Sequence, residues 1–472
     1  MRSNHINLRW AAAFALNFLT ACSAGAAQTT IPASQAQSSQ VSSADQSTLG
    51  ANAPYALSSA QSTITGSQQG WLAQHHVIEM PKSVFSFVDS IGVGADFQYH
   101  NSPYDRMPLA YERLIEQSHI RNVRGQSNGD PGVTAIYNRM CAMGVRHTVG
   151  FGLHVTASDI AEQINRYRPG CVAAVEPMNE YDAYALNGAH PDPHWIAKLL
   201  AEQRTIWRTV KSNPAWANIT VMGPSLASLS RYALLGNLEG ISDVGNQHDG
   251  TCDGSPLTTH YKNIAQRIKY IRVSYPTKPI WVGETTYSND PRYSRCGVAK
   301  EVAAKYVPRT FLERFNLGQP HTFYNELSDD LNKGTGWGLL GLTDTTAQPH
   351  PAYTALRSLL GVFPDDRSSR ALQPLRYAIG GGQIHDVHHT LLQGNDGAYY
   401  LILWLEVDSW DVYSKRPLYP APREVTLSLP SSLRSAVYFT PSSDFDMTQR
   451  TLTINGSLHV RVSDSPSVLV VK

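Results

Sequence analysis

The sequence predicts an α/β protein, a (β/α)8 TIM barrel followed by a C-terminal β-sandwich. Between about residues 84 and 362, eight short strand-like runs alternate with segments of helical periodicity, as in a parallel sheet wrapped by helices. Two of these runs lead into carboxylates, at Glu180 and Glu284. From residue 366 to 472, strand-like runs follow one another with turn residues between them and without a helical pattern. The first region, about 275 residues long, has the usual size of a barrel.

The barrel elements are predicted one by one from their periodicity. A short apolar run bounded by Gly, Pro or polar residues indicates a strand, and apolar residues three and four apart indicate a helix. The predicted strands are residues 90–95, 119–124, 146–152, 172–175, 219–224, 242–248, 279–283 and 322–326. The predicted helices are residues 111–117, 133–143, 157–166, 194–211, 257–273, 298–315 and 351–360.

Residues 172–182 hold the densest group of polar side chains at a predicted strand end. The Val and Ala residues indicate a buried strand, and Glu176, Asn179 and Glu180 follow them. The seventh predicted strand leads in the same way into Glu284. Because the C-terminal ends of barrel strands form the active-site mouth, two carboxylates there suit acid and nucleophile chemistry on a glycosidic bond. For either Glu, a solvated loop charge or a residue of a helix first turn is the alternative.

Asn179-Glu180 after the fourth strand and Gly283-Glu284 at the seventh resemble the acid/base and nucleophile motifs of clan A glycoside hydrolases. These are retaining (β/α)8 enzymes, and the resemblance covers about residues 84–362. With a C-terminal sandwich, the layout is nearest to that of family 39-like enzymes. The resemblance implies that Glu180 is the acid/base, that Glu284 is the nucleophile and that Asn179 bonds the sugar 2-OH.

The resemblance also implies roles for Arg124 and His248. In the family, an Arg at the end of the second strand bonds the nucleophile carboxylate, and a His at the end of the sixth strand touches substrate or the catalytic carboxylates. A surface Arg and a structural His are the alternatives. The family often has Tyr two residues after this His, where this chain has Gly250. Tyr287 is therefore a candidate to orient the nucleophile instead.

Polar and aromatic residues around the eighth strand are further candidates for substrate binding. Glu326 and Asp329 lie near the predicted mouth, and Trp337 follows on the next loop. Trp337 would stack on a sugar ring, or it would pack in the core under the last barrel helix. Glu176 and Asp182 are expected to support the site without touching substrate, or to be solvated.

The C-terminal region, residues 366–472, is predicted to be a small β-sandwich. Its predicted strands are residues 398–405, 423–429, 452–454 and 467–471, and residues 71–80 are a candidate additional strand. The group His385, Asp386, His388 and His389 could indicate a metal site. Alternation along a strand explains the group as well, and no Cys/His spacing indicates zinc, so no metal is predicted.

The N-terminal 27 residues are predicted to be a signal peptide. Arg2 and Arg9 are positively charged, and the apolar run 10–19 is too short to span a bilayer. Residues 19–22 resemble a bacterial lipobox, which would make Cys22 a lipidated N-terminus, whereas ordinary cleavage after Ala26 is the alternative. Residues 28–68 are rich in Ser, Gln, Ala and Thr and are predicted to be a disordered tether.

The four remaining cysteines allow two disulfides in an exported protein. Cys252 and Cys296 both follow predicted strand ends and are expected to pair, which leaves Cys141 for Cys171. Net charge is +1, with 16% charged residues, so the composition does not indicate nucleic acid or anionic lipid as a partner. Membrane contact is expected only through the N-terminal lipid anchor.

These patterns predict an exported, monomeric retaining glycoside hydrolase of the bacterial cell envelope or periplasm. It acts on a poly- or oligosaccharide and requires no cofactor. A transglycosidase acting on a cell-surface polysaccharide is one alternative, and a non-catalytic carbohydrate-binding lipoprotein is another. The presence of both Glu180 and Glu284 favours an enzyme. Which sugar and linkage are recognised, and whether cleavage is endo or exo, does not follow from the residues.

Overall fold

The computed structural model describes residues 77–126, 128–187, 191–250, 252–257, 264–292, 297–334 and 337–472. The predicted signal peptide, the tether, Cys22 and Cys296 lie outside these residues. Within the described ranges, no helix has both the length and the apolar character needed to cross a membrane.

Eight parallel strands form the predicted barrel. Numbered in chain order after two short strands, β1 (Val77–Glu79) and β2 (Lys82–Ser83), they are β3 (Ile91–Gly94), β4 (Asn122–Gln126), β5 (Arg146–Gly150), β6 (Val172–Glu176), β7 (Thr220–Val221), β8 (Gly245–His248), β9 (Ile280–Thr285) and β10 (Thr322–Tyr324). Their order in the sheet is β7-β6-β5-β4-β3-β10-β9-β8. A parallel bridge between Met222 and Val244 joins the two outer strands and closes the sheet.

Helices cover the outside of the barrel strands. Their bounds are Val84–Asp89, Pro103–Arg106, Pro108–Gln117, Pro131–Ala142, Ala157–Asn165, Tyr181–Asn187, Trp195–Ser212, Ile264–Arg272, Lys300–Asn316 and Pro351–Leu360. Local sequence determines where several of them begin. Asp130 accepts hydrogen bonds from two backbone N–H groups of the helix that Pro131 opens, and Thr156 and Asp159 form a capping box.

All eight barrel strands differ somewhat in extent from their predictions, and the second and fifth differ most clearly. Strand β4 ends at Gln126, so Arg124 lies in its middle rather than at its end. The fifth barrel strand contains only Thr220 and Val221. The second strand was predicted to end at the charged residue Arg124. Within this barrel the guanidinium is paired with carboxylates, so it is accommodated inside the strand.

The C-terminal region forms two sheets packed face to face, antiparallel except where β2 pairs with β12, which confirms the predicted sandwich. Its strands are β11 (Leu375–Gly380), β12 (Val387–Gln393), β13 (Tyr399–Leu405), β14 (Trp410–Asp411), β15 (Arg416–Pro417), β16 (Arg423–Ser428), β17 (Ala436–Pro441), β18 (Met447–Leu452), β19 (Ser457–Val462) and β20 (Ser467–Val471). One sheet has the order β1-β11-β16-β19, and the other has the order β18-β17-β20-β13-β12-β2. The chain before the barrel therefore adds one strand to each sheet.

The sequence reading of the sandwich was incomplete. Residues 452–454 are not a strand, because β18 ends at Leu452 and β19 begins only at Ser457. Strand β18 was not predicted. Its residues are mostly polar and exposed on both faces, so they do not alternate between apolar and polar. The His cluster is divided among separate partners. His388 bonds Glu313 at 2.7 Å and His389 bonds Glu79 at 3.1 Å, as alternation along β12 requires.

A disulfide joins Cys141 to Cys171, as predicted. Cys252 is also disulfide-bonded, but its predicted partner Cys296 lies outside the described residues, so that pairing stays a prediction. The sandwich packs on helix Lys300–Asn316, where Arg309 forms a fully buried ion pair with Glu406 at 2.9 Å.

Candidate active site

The C-terminal ends of the barrel strands bring a compact polar cluster together. It comprises Arg124 from β4, Asn179 and Glu180 from the segment after β6, His248 from the end of β8, Glu284 from β9 and Asn325 just beyond β10. These residues are separated by up to about two hundred positions in the chain, and parallel strand pairing places them at one end of the barrel.

Arg124 is the centre of this cluster. Its Nε lies 2.6 Å from Glu176 Oε1, its Nη1 lies 2.7 Å from Glu284 Oε1, and its Nη2 donates to Asn179 Oδ1 at 2.7 Å. Burial disfavours the charge on Arg124, but the two carboxylates outweigh this effect and raise its pKa above the ordinary value. A guanidinium can bind three groups in one plane, which a lysine ammonium cannot do.

Glu284 is held from three directions. Besides Arg124, the Asn325 amide donates to Glu284 Oε2 at 3.0 Å, and His248 Nδ1 lies 3.7 Å from Oε1. The preceding residue must be Gly283, because a Cβ there would lie 2.3 Å from Asn246 Oδ1 and 2.8 Å from His248 Nε2. The Gly-Glu pair in the sequence therefore has a steric cause.

Glu180 lies in the turn between β6 and helix Tyr181–Asn187. Its backbone is left-handed, with φ of 43°, which is uncommon for a residue with a side chain. Two contacts hold this conformation: the Glu180 amide donates to Ser225 Oγ at 3.2 Å, and the Glu180 carbonyl accepts from Ala183 N at 2.9 Å. One carboxylate oxygen of Glu180 lies 2.9 Å from His248 Nδ1. A single proton shared across this contact can belong to either group.

The carboxyl groups of Glu180 and Glu284 face each other across His248. One oxygen of each and a ring nitrogen of His248 all lie within 4.8 Å of one another. Burial raises the pKa of Glu180, and the neighbouring Glu284 adds to this effect, while the hydrogen bond from His248 opposes it. Glu180 therefore tends to keep its proton, whereas the carboxyl group of Glu284 beside it is bonded to the guanidinium of Arg124.

Glu176 is a buried partner of Arg124 rather than a solvated charge. Besides the Arg124 contact, Glu176 Oε2 accepts from Asn246 Nδ2 at 2.7 Å. Asp182, the other residue predicted to have a supporting role, is also buried, and it accepts from Ala227 N, Ser228 N and Arg231. Asp182 lies in the first turn of helix Tyr181–Asn187, and these bonds tie that turn to the loop that carries Ser225.

Glu180, His248 and Glu284 could in principle ligate a cation, because three donor atoms lie close together. The charge distribution argues against this use. The same Glu284 oxygen that faces His248 is already bonded by Arg124 at 2.7 Å, so a cation would lie beside a guanidinium. These donors suit a proton shared among acids and bases better than a metal.

For two other predicted site residues, the structure favours a structural role over contact with substrate. The Tyr287 hydroxyl donates to Gly254 O at 3.1 Å, so it does not take the place of the family Tyr in donating to Glu284. Trp337 is only 7% exposed, which favours core packing over stacking on a sugar. The packing of Tyr287 and Trp337 depends on the conformation of the segments that follow the strands, and the sequence does not specify that conformation.

Glu326 lies at the mouth, but its carboxyl group is buried. Lys333 Nζ lies 2.6 Å from Glu326 Oε1, and the Tyr104 hydroxyl donates to Oε2 at 3.2 Å. Burial raises the pKa of Glu326 to about 8, although Lys333 opposes the shift. Glu326 therefore contacts neighbouring side chains rather than presenting its carboxyl group to solvent.

The sequence reading missed Asn325, Asn246 and Ser225. Asn325 directly precedes Glu326 at a strand end, so its position was a usable signal. Asn246 lies inside a short strand, and Ser225 lies in a loop, so neither gives a pattern that distinguishes it from an ordinary structural polar residue. Both are recognised only from their contacts with residues of the cluster.

A partly buried pair of carboxyl groups, both in contact with His248 at the mouth of a (β/α)8 barrel, defines a candidate active site. No protein-family model and no curated protein matches the chain. Among solved structures, a β-1,3-glucanosyltransferase from Rhizomucor miehei is 11% identical, with a TM-score of 0.42 over 56% of this chain and 96% of that one. The GH1 β-glucosidase from Exiguobacterium antarcticum is 10% identical, with a TM-score of 0.41 over 58% and 98%.

A third solved structure, BuGH86wt in complex with neoagarooctaose, extends over both parts of the chain. It is 11% identical, with a TM-score of 0.45, and it covers 84% of this chain and 78% of that one. These similarities are distant, at 10–11% identity.

Proposed function

We propose that this protein is a retaining glycoside hydrolase in which Glu284 is the nucleophile and Glu180 is the general acid/base. The observation that carries the proposal is the short separation of the two carboxyl groups, with one oxygen of each within 4.8 Å of the other. Retaining enzymes place the two groups about 5–5.5 Å apart, whereas inverting enzymes need about 6.5–9.5 Å to admit a water.

In the first step, a carboxylate oxygen of Glu284 attacks the anomeric carbon and the bond to the leaving oxygen breaks. Glu180 gives its proton to that oxygen, so the departing sugar or aglycone leaves as a neutral alcohol. Arg124 and Asn325 orient the attacking carboxylate through the hydrogen bonds described above. Asn179, fixed by Arg124, is the residue placed to bond the 2-OH of the sugar.

In the second step, Glu180 acts as a base. It removes a proton from a water that attacks the anomeric carbon, and the ester bond to Glu284 breaks, which regenerates both carboxyl groups. Burial and the neighbouring Glu284 raise the pKa of Glu180, which favours its protonated form at the start of the cycle. His248, which contacts both carboxyl groups, orients Glu180 relative to Glu284 in both steps and takes no net part in the proton transfers.

The proposal is tested with the domain comprising residues 69–472 on nitrophenyl glycosides and a polysaccharide panel. We expect Glu284→Gln and Glu180→Gln to lose turnover while circular dichroism shows an unchanged fold. A 2-fluoro glycoside of the hydrolysed sugar should leave a covalent adduct whose proteolytic peptide contains Glu284. Proton magnetic resonance of the first product should show retention of anomeric configuration.

A matched control keeps the test specific. Glu162→Gln removes a carboxylate from the exposed surface of helix Ala157–Asn165 and should leave turnover unchanged. Substantial activity in Glu284→Gln, or inversion at the anomeric centre, would contradict the assignment. Adding acceptor sugars separates hydrolysis from transglycosylation, because only the latter yields products longer than the substrate.

We also propose export to the cell envelope with lipidation at Cys22. The support is the positively charged start, the short apolar run and the lipobox-like residues 19–22. Expression of the full chain in bacteria with labelled palmitate should label the protein, and Cys22→Ser should abolish the label. Labelling that survives this substitution would refute lipidation at Cys22.

A further inference from the structure

A second polar cluster lies beside Glu284 and is not used by the chemistry above. Lys333 Nζ lies 2.6 Å from Glu326 Oε1 and 3.1 Å from Asp96 Oδ2. Gln98 Nε2 donates to the other oxygen of Asp96 at 3.1 Å. The cluster therefore joins an ammonium to two carboxyl groups, one of which is held by an amide.

The cluster belongs to the mouth of the barrel. Asp96 follows the end of β3, and Glu326 follows the end of β10, which is paired with β3 in parallel. Asn325, the neighbour of Glu326, bonds the Glu284 carboxylate at 3.0 Å. Glu284 is therefore linked to the cluster through Asn325, which bonds Glu284 and directly precedes Glu326 in the chain. Glu326 in turn contacts Lys333.

Two side chains of this cluster are buried and two are partly exposed to solvent. Glu326 and Gln98 are buried, whereas the Asp96 and Lys333 side chains are 25% and 23% exposed. Gln98 Oε1 is buried and has no hydrogen-bond partner among the described residues. Because buried polar atoms are nearly always satisfied, this oxygen indicates a place for a water or a ligand group. The accessible pair offers one acceptor and one donor to the barrel mouth.

We propose that Asp96 and Lys333 bind hydroxyl groups of an uncharged sugar at the same mouth of the barrel as Glu284. This inference rests on the proposed glycosidase function and adds the substrate class. A carboxylate accepts from one hydroxyl of a sugar and an ammonium donates to its neighbour, so the pair matches a vicinal diol.

The charges of the site favour a neutral sugar over a uronic acid. Five carboxyl groups, those of Glu176, Glu180, Glu284, Asp96 and Glu326, surround two permanent cations, Arg124 and Lys333. Even with Glu180 and Glu326 protonated, three carboxylates face these two cations. Both cations are already paired at 2.6–3.1 Å, so a sugar carboxylate would meet net negative charge.

The test compares matched nitrophenyl hexosides and hexuronides, which differ only at C6, and deoxy hexosides that lack one hydroxyl. The variants are Asp96→Asn and Lys333→Met. The control is Lys211→Met, which breaks a 2.7 Å ion pair with Asp243, is also 23% exposed, and lies at the opposite end of the barrel strands. Circular dichroism and thermal unfolding establish that each variant folds.

We expect the wild-type protein to cleave a hexoside and to discriminate against the matching hexuronide. Each subsite variant should lower kcat/KM on the hexoside by about 10- to 100-fold, mostly through KM, the range for hydrogen bonds to charged groups. On the deoxy hexoside that lacks the hydroxyl it binds, the same variant should have little effect, because the partner is already absent. A merely structural role would reduce activity equally on all substrates.

Three results would overturn the inference while leaving the glycosidase assignment intact. These are a preference for the hexuronide, subsite variants that behave like Lys211→Met, and equal losses on every deoxy hexoside.

If no nitrophenyl glycoside is cleaved, calorimetry with Glu284→Gln and neutral or uronic oligosaccharides replaces the kinetics. Preference for uronic chains then refutes the subsite alone, and absence of binding and of cleavage refutes both proposals.

Discussion

Replacing Arg124 with Met should destabilise the folded protein strongly, because Arg124 is the buried cation between two carboxylates. Its exposed fraction is 8%, and that of Glu176 is 2%. The substitution removes contacts of 2.6 Å to Glu176, 2.7 Å to Glu284 and 2.7 Å to Asn179. Methionine fills a similar volume, so the main effect is electrostatic rather than the creation of a cavity.

The size of the effect follows from what remains around the two carboxylates. Breaking a buried ion pair by removing one partner costs about 3–5 kcal/mol. Here Glu176 keeps its hydrogen bond from Asn246, and Glu284 keeps the bond from Asn325. These bonds partly compensate the stranded charges, so we expect a loss of about 3 kcal/mol in the free energy of unfolding. Adding Glu176→Gln should restore part of this loss, because it removes one unpaired charge.

Urea unfolding at neutral pH, followed by circular dichroism and by tryptophan fluorescence, measures these changes. Arg166→Met is the control, because Arg166 pairs with Glu162 on an exposed helix face, and such pairs are worth about 0.5 kcal/mol or less. A cost for Arg124→Met below about 1 kcal/mol would refute the reasoning, since that is the range of a solvated pair. A double variant no more stable than Arg124→Met would refute the assigned role of Glu176.

Three other predictions concern catalysis, pH dependence and the disulfide. Asn325→Ala should lower kcat/KM roughly 10- to 150-fold in steady-state assays, the equivalent of a charged hydrogen bond of about 1.5–3 kcal/mol, and an unchanged rate would contradict its role. The raised pKa of Glu180 places the alkaline limb of the kcat/KM profile above the ordinary Glu range, since the protonated acid is required. Because the hydrogen bond from His248 lowers this pKa, His248→Phe should move the limb to higher pH, and a downward shift would contradict this account. Replacing Cys141 and Cys171 with Ser opens a 30-residue loop and should cost about 3–4 kcal/mol in urea unfolding; a loss below 1 kcal/mol would refute this value.

The sequence by itself determined the barrel, because a buried parallel strand leaves a local trace. Both faces of such a strand are covered, so several of the strands contain apolar runs, as residues 172–175 do, and strand-like runs alternate with helical periodicity along this region. Strand ends are also local features, and so Glu180 and Glu284 could be placed at the mouth. A polar, exposed strand such as β18 carries no such trace, whereas β19 alternates between apolar and polar residues and could have been predicted.

Tertiary structure decided which polar groups act together. Glu176, Asn246 and Asn325 became partners of Arg124 and Glu284 only when strands far apart in the chain closed into one barrel. The direction of Tyr287 toward Gly254 depends on loop packing in the same way. Periodicity along the chain reports which face of an element is buried. It does not report which side chain from another strand lies within hydrogen-bonding distance. Those contacts determine the charges and orientations of the side chains at the proposed site.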